Sequence, residues 1–245
     1  MTAGKPRGVV LVMGAGDAIG AAICRRFGRA GYSVVAARRR VEALASLREQ
    51  ARDEGWPLRA EACDARDEEQ VTRLFAAIEA EEGALEAVIF NVGANVPMNV
   101  LETDSRKFRK IWEMACFGGF LTTREAARHM QPRRRGSILF TGATASLRGA
   151  AGFGAFASAK HGLRAWAQSM ARELGPENIH VAHVVIDAAV DTQWIRDNLP
   201  AADDLAARDG LVAPDELADI YLQLHEQPRS AWTFEIDVRP WVEHW

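Results

Sequence analysis

The stretch Val9-Val10-Leu11-Val12-Met13-Gly14-Ala15-Gly16-Asp17-Ala18-Ile19-Gly20, followed by Ala21-Ala22-Ile23-Cys24-Arg25-Arg26-Phe27, decides the fold. A short run of apolar, largely β-branched residues enters a glycine-rich turn and leaves as a helix. That order aims backbone N–H groups, with the positive end of a helix dipole, at an anion such as a pyrophosphate. A tight strand-to-helix turn without a ligand is the plainer alternative. The turn's place in the first βα unit of the chain argues for the phosphate.

Outward from this unit the same alternation repeats. Strands are expected near 8–13, 33–37, 57–62, 86–90, 136–141, 179–186 and 232–238, and helices near 18–30, 41–54, 67–82, 104–131, 153–174 and 214–226. Gly31, Gly55, Gly83 and Gly175-Pro176 supply the breaks between them. Alternation of this kind makes an α/β fold, a doubly wound parallel sheet of about seven strands with helices on both faces. No linker, composition shift or repeat divides residues 1–245, so a single domain is expected. Segment 191–213 lacks a clear period and falls at the carboxyl edge of the sheet, where it is expected to serve as a substrate loop or lid.

Composition narrows the function classes. With 48% hydrophobic and 26% charged residues, the chain is neither disordered nor fibrous. Thirty basic residues against thirty-three acidic ones leave a net charge of −3, without the positive excess of a nucleic-acid binder. Cys24, Cys63 and Cys116 are far apart and include no CxxC pair, which disfavours a disulfide framework and a cysteine zinc site. The six histidines show no His-Glu-x-x-His or comparable spacing, so no metal is expected. Val9 to Met13 is too short for a signal-peptide core, and no later run approaches the ~18 apolar residues of a membrane span. A soluble, unprocessed, cytoplasmic protein is expected, with no nucleic-acid or membrane partner.

Arg38, Arg39 and Arg40 follow the second strand, where a dinucleotide fold meets the adenosine ribose. An acidic residue there accepts from a ribose 2′-hydroxyl, whereas arginine suits a 2′-phosphate, so the run favours NADP(H) over NAD(H). Asp17 pulls the other way, because a carboxylate beside a phosphate is unfavourable unless it points elsewhere. A solvated charge run opening a helix is the alternative reading of the three arginines.

With these residues in view, the chain resembles a short-chain dehydrogenase/reductase of the classical type over essentially its whole length, a Rossmann-like fold. The resemblance implies cofactor contacts from Gly14, Gly16, Asp17, Ala18, Ile19 and Gly20, with Ala18 where the family has its middle glycine. Cys63-Asp64-Ala65 is similar to the segment whose aspartate meets the adenine ring. Phe90-Asn91-Val92-Gly93 is similar to the family's Asn-Asn-Ala-Gly element. Val190-Asp191-Thr192 is similar to the segment whose threonine touches the nicotinamide carboxamide, with Asp187-Ala188 in place of the usual Pro-Gly. Arg38, Arg39, Asp64, Ala65, Asn91, Gly93, Lys160, Val190 and Thr192 complete the implied cofactor set.

The catalytic signature departs further. Where the family has Tyr-x-x-x-Lys, this chain reads Phe156-Ala157-Ser158-Ala159-Lys160. The i, i+4 spacing puts Phe156 and Lys160 on one helical face, so the lysine is expected to reach the nicotinamide ribose. The usual serine falls on Ala143, with Thr144 the nearest hydroxyl, and the usual asparagine falls on Ala115. In the usual chemistry tyrosine protonates the alkoxide as hydride arrives, lysine lowers the tyrosine pKa and serine holds the oxygen. Of other proton carriers, Tyr32 lies far from the site, and Tyr221 reads as a core or interface residue. Asp187, after an apolar strand, is expected to be partly buried with a raised pKa, or else to cap a turn. His161 is expected to point about 100° round the helix from Lys160, and His183 to be a core histidine or a proton carrier.

Two readings follow. One is an NADP(H)-dependent oxidoreductase with altered chemistry acting on a small molecule, its pocket lined by Ala143, Phe153, Asp187 and Trp194. The other is a catalytically inactive dinucleotide-binding protein or partner subunit. The resemblance further implies a homodimer or homotetramer assembled through helices 104–131 and 153–174.

Overall fold

Strand β1 (Val9–Met13) is buried at every residue, as an unbroken apolar run must be when helices cover both faces of a parallel sheet. In the computed structural model, which describes residues 6–243, it stands third in a seven-stranded sheet. The other strands are β2 (Ser33–Arg38), β3 (Leu58–Ala62), β4 (Leu85–Phe90), β5 (Gly136–Thr141), β6 (Ile179–Ile186) and β7 (Glu235–Val238). Their order is β3-β2-β1-β4-β5-β6-β7, with every pair parallel. The chain winds outward from β1 to β3 and then restarts at β4, so the topological switch lies between β1 and β4, where α/β sheets bind ligands.

Period-two alternation sorts the strand residues between two cores. Val10, Val12, Val34 and Ala36 face α1 (Ile19–Arg29), α2 (Ala45–Glu54) and a late helix, through Ile23, Phe27, Leu47 and Tyr221. Val9, Leu11, Met13 and Val88 face α3 (Glu68–Glu81) and the long central helices, through Phe75, Ala126, Met130 and Leu163. The single doubly wound domain is therefore as the sequence pattern predicts.

The differences are local and have physical causes. The helix expected over 104–131 is broken into α4 (Ser105–Trp112), a π-helical turn Glu113–Phe117 and α5 (Gly118–Met130). The break delivers Gly118 and Gly119 to close contacts: a Cβ on Gly118 would lie 3.2 Å from the Ala65 carbonyl, and one on Gly119 would collide with Leu163 of α6 (Gly154–Leu174). Residues 232–234 do not join β7, because Gln227 Oε1 accepts from the Thr233 amide at 2.7 Å while Trp232 stacks on His180. Helix 41–54 opens with a 3₁₀ turn, Val41–Leu44, before α2. Segment 191–213 carries two short helices, α7 (Gln193–Asn198) and α8 (Ala202–Ala206), before α9 (Pro214–His225). A bridge between Val190 and Val212 closes its base. Among the described residues no helix is long and apolar enough to cross a membrane, and no cluster of His, Cys, Asp or Glu could hold a metal ion. All three cysteines are free and buried.

Candidate active site

The carboxyl ends of β1 to β4 converge on the glycine turn. Gly14 has φ +92°, and a Cβ there would lie 2.9 Å from the Asn91 carbonyl, so only glycine fits beside β4. Gly20 is equally constrained, since its Cβ would lie 2.5 Å from the Gly14 carbonyl oxygen, whereas a Cβ on Gly16 would meet nothing. Asn91 ties the turn in place, its amide donating to the Met13 carbonyl at 2.8 Å and its side-chain Nδ2 to that of Gly14 at 3.0 Å. Helix α1 begins behind Ala18 without a side-chain cap, which leaves its first-turn amides without a side-chain acceptor. These are the elements of an anion-binding helix N-terminus.

Beside the turn lies a cavity of about 440 Å³ lined by Gly14, Gly16, Arg38, Arg39, Arg40, Asp64, Ala65, Arg66, Asn91, Gly93 and Met114. Most of the expected dinucleotide residues meet here. Asp17 is not among the residues lining this cavity; its carboxylate takes a hydrogen bond from Arg38 Nη1 at 2.8 Å. Arg38 is thereby already engaged, and Nη1 also reaches the Ala43 carbonyl at 3.4 Å. Asp64 is bound by Arg66, whose guanidinium holds its carboxyl below the ordinary range. Arg66 and Met114 line this cavity without having been singled out from the sequence; for Arg66 the legible signal was a basic residue two positions beyond the strand-end aspartate.

A second cavity, about 490 Å³, opens on the other side of the turn between Asp17, Ala18, Thr192, Trp194 and Asp215. Thr192 caps α7, its Oγ1 accepting from the Ile195 amide at 3.1 Å. Trp194 is 59% exposed at the start of the 191–213 segment. Arg196 pins that segment to itself through Asp191 at 2.7 Å.

The residues expected to be catalytic line neither cavity. Lys160 is 3% exposed on α6, and its Nζ donates to the Thr141 carbonyl at the end of β5 at 2.7 Å. Burial lowers its pKa to about 8. The Phe156 ring lies on the same helical face, its centroid 5.8 Å from Nζ. Phe156 belongs to a small apolar cluster with Ile111, Ala115, Cys116, Ala145 and Ala155, against which Ala94, Met98 and Ala143 pack. Phe153 stands at the N-cap of α6.

The nearby hydroxyls are occupied. Thr144 donates to Asp187 at 2.5 Å, Ser146 Oγ accepts from the Ala143 amide at 3.1 Å, and Ser158 donates to the Gly154 carbonyl at 2.8 Å. Asp187 is buried, but as the centre of an ion cluster and not as an isolated acid or a turn cap. Besides Thr144 it meets Arg148 at 3.3 Å and Arg239 at 3.4 Å. Tyr221 is fully buried, bonded to Thr141 Oγ1 at 2.6 Å, and desolvation pushes its pKa up, so it is a core residue as expected. His161 donates from Nδ1 to the Ala157 carbonyl at 2.9 Å on the outer side of α6. His183 is fully buried, bonded to Glu235 at 2.9 Å, and burial lowers its pKa to about 4. It is a neutral core histidine.

The short chain dehydrogenase family matches residues 8–201. The chain is 30% identical over 189 residues to the 3-oxoacyl-(acyl-carrier-protein) reductase MabA of Mycobacterium tuberculosis, covering 76% of this chain and 71% of that protein. It is 49% identical to a short-chain dehydrogenase from Rhodopseudomonas palustris of solved structure, which covers 96% of this chain and 100% of its own, with a TM-score of 0.83. A metagenomic short-chain oxidoreductase solved with NADP shares the fold at 23% identity and TM-score 0.83, covering 98% of this chain and 99% of its own.

Proposed function

Because the chain belongs to the short-chain dehydrogenase family of oxidoreductases, we propose that it binds NADP(H) in preference to NAD(H) along the carboxyl edge of the sheet. There it transfers hydride to a small molecule that needs no protein proton donor. A bound nicotinamide dinucleotide supplies the hydride. Gly14, Gly16 and the amides opening α1 would hold its pyrophosphate, Arg38 and Arg39 its 2′-phosphate, and Lys160 and Thr192 its nicotinamide half.

The observation that carries the reading is Lys160. A buried amine of lowered pKa, set beside an aromatic ring at the end of β5, has no packing purpose that an apolar residue would not serve better. Phe156, Ala143 and Ala115 stand where the resemblance expects tyrosine, serine and asparagine, and Thr144 is held by Asp187. An iminium or a polarised alkene fits such a site, because hydride addition there asks for orientation and a dry pocket more than for an acid. Segment 191–213 is the lid over that pocket, with Trp194 at its edge.

The second reading, a dinucleotide-binding member without turnover, is favoured by the same three replacements. Calorimetric titration with NADPH and NADH, followed by NADPH oxidation against a panel of iminium ions, enones and ketones, separates the two. Binding without turnover selects the second reading, and no binding of either dinucleotide refutes both. The working partners in either reading are a small molecule and a second copy of the chain, with no nucleic acid or membrane. The aromatic run Trp112, Phe117, Phe120 and Trp166 along α4 to α6 is the proposed contact between copies, checked by sedimentation at micromolar concentration.

A further inference from the structure

The base end of the cavity beside the glycine turn is built differently from what the resemblance implies. Asp64, at the end of β3, stands where an aspartate would accept from the exocyclic amine of adenine. Here Arg66 closes over it. The Arg66 amide donates to Oδ1 at 3.1 Å, Nε donates to Oδ1 at 3.0 Å and to Oδ2 at 3.2 Å, and Nη2 donates to Oδ2 at 2.6 Å. A carboxylate has about four acceptor sites, and three N–H groups of this one residue, with Nε shared between the two oxygens, engage both of its oxygens. The loop that holds the pair is itself braced, since Gln70 Oε1 accepts from the Asp64 amide at 3.0 Å while Gln70 Nε2 donates to Asp67. The pair is therefore a fixed feature of the cavity wall.

We infer that Arg66 is a specificity-determining residue that makes the site indifferent to the group at the 6-position of the purine. With both Asp64 oxygens engaged by Arg66, the amine of adenine must compete with a charged neighbour for the carboxylate. Arg66 presents to the cavity a planar cation whose Nη1 takes no part in the Asp64 contacts. A planar guanidinium supports a purine ring by stacking, and its remaining N–H groups suit ring nitrogens or a 6-oxo group as well as they suit adenine. A dinucleotide carrying hypoxanthine thus binds on equal terms with one carrying adenine. This rests on the dinucleotide reading proposed above and goes beyond it by assigning what the base end recognises.

The test is calorimetric titration of the full chain with NADPH and with nicotinamide hypoxanthine dinucleotide phosphate, reduced form. The wild-type Kd values should agree within about threefold. Arg66→Ser releases Asp64 to accept from the amine, and should weaken the hypoxanthine form relative to the adenine form by about tenfold, the scale of one charge-assisted hydrogen bond. Asp64→Asn in the Arg66→Ser background should abolish that new preference. A wild-type preference for adenine of tenfold or more, or an unchanged ratio in Arg66→Ser, would overturn the inference while leaving dinucleotide binding intact. If the wild-type chain binds neither dinucleotide, the cofactor reading falls and this one with it.

Discussion

Replacing Arg38 and Asp17, singly and together, tests how the adenosine end reads its ligand. Arg38 is 20% exposed by its side chain, Asp17 is 81% exposed, and one contact of 2.8 Å joins them. An exposed ion pair of this kind is worth ~0.2–1 kcal/mol, while a charge-assisted bond from arginine to a 2′-phosphate is worth ~1.5–3 kcal/mol. A phosphate entering the cavity therefore outcompetes Asp17 for Arg38, but loses part of its gain in doing so. Arg38→Ala should weaken NADPH binding by about 10- to 150-fold and leave NADH within about threefold. Asp17→Ser should tighten NADPH by up to about fivefold, and that gain should vanish in the Arg38→Ala background. Nicotinamide fluorescence titrations at two salt concentrations give all the constants, with the larger losses at low salt. An NADPH-to-NADH ratio that survives Arg38→Ala would refute the assignment of the 2′-phosphate to Arg38. A gain from Asp17→Ser that persists without Arg38 would show that Asp17 acts directly on the ligand and not through this pair.

Three other outcomes follow from the same geometry. Phe156→Tyr with Ala143→Ser places a phenol beside Lys160 and a second donor at the end of β5; NADPH oxidation with small ketones and aldehydes should rise about 10²-fold or more, and no rise in a folded, cofactor-binding variant would reject the carry-over of the family's chemistry. Lys160 titrates near 8 when folded against 10.5 when free, so the unfolded chain binds the extra proton. Its penalty is full below about pH 8 and is relieved as pH rises toward 10.5; urea unfolding should show Lys160→Met favoured over wild type by ~3 kcal/mol more at pH 7 than at pH 10.5. His183 and His225 are each lowered from 6.5 to about 4 by burial. Stability should accordingly fall as pH drops from 6.5 to 4, by up to ~3 kcal/mol for each, and His225→Gln should remove about half of that slope in urea midpoints.

The sequence alone determined the layering of this protein. Strand and helix periods are local properties, set by which side of each element must be dry, so runs such as Val9–Met13 and Ile179–Ile186 declare buried strands without reference to partners. The turn at Gly14 is local in the same way, since its φ of +92° favours a residue lacking Cβ. That Phe156 and Ala143 carry no hydroxyl is likewise a matter of residue identity. Tertiary structure decided the pairings. That Asp17 turns to Arg38, and that Asp187 gathers Thr144, Arg148 and Arg239, depend on side chains from separate elements meeting at one edge of the sheet. The break of the long helix at 113–117 has the same origin, because Gly118 and Gly119 serve contacts to Ala65 and Leu163 that are distant in sequence. A titrating group takes its character from whatever neighbour shares its low-dielectric surroundings, and for Lys160 and His183 those neighbours are assembled only when the helices close over the sheet.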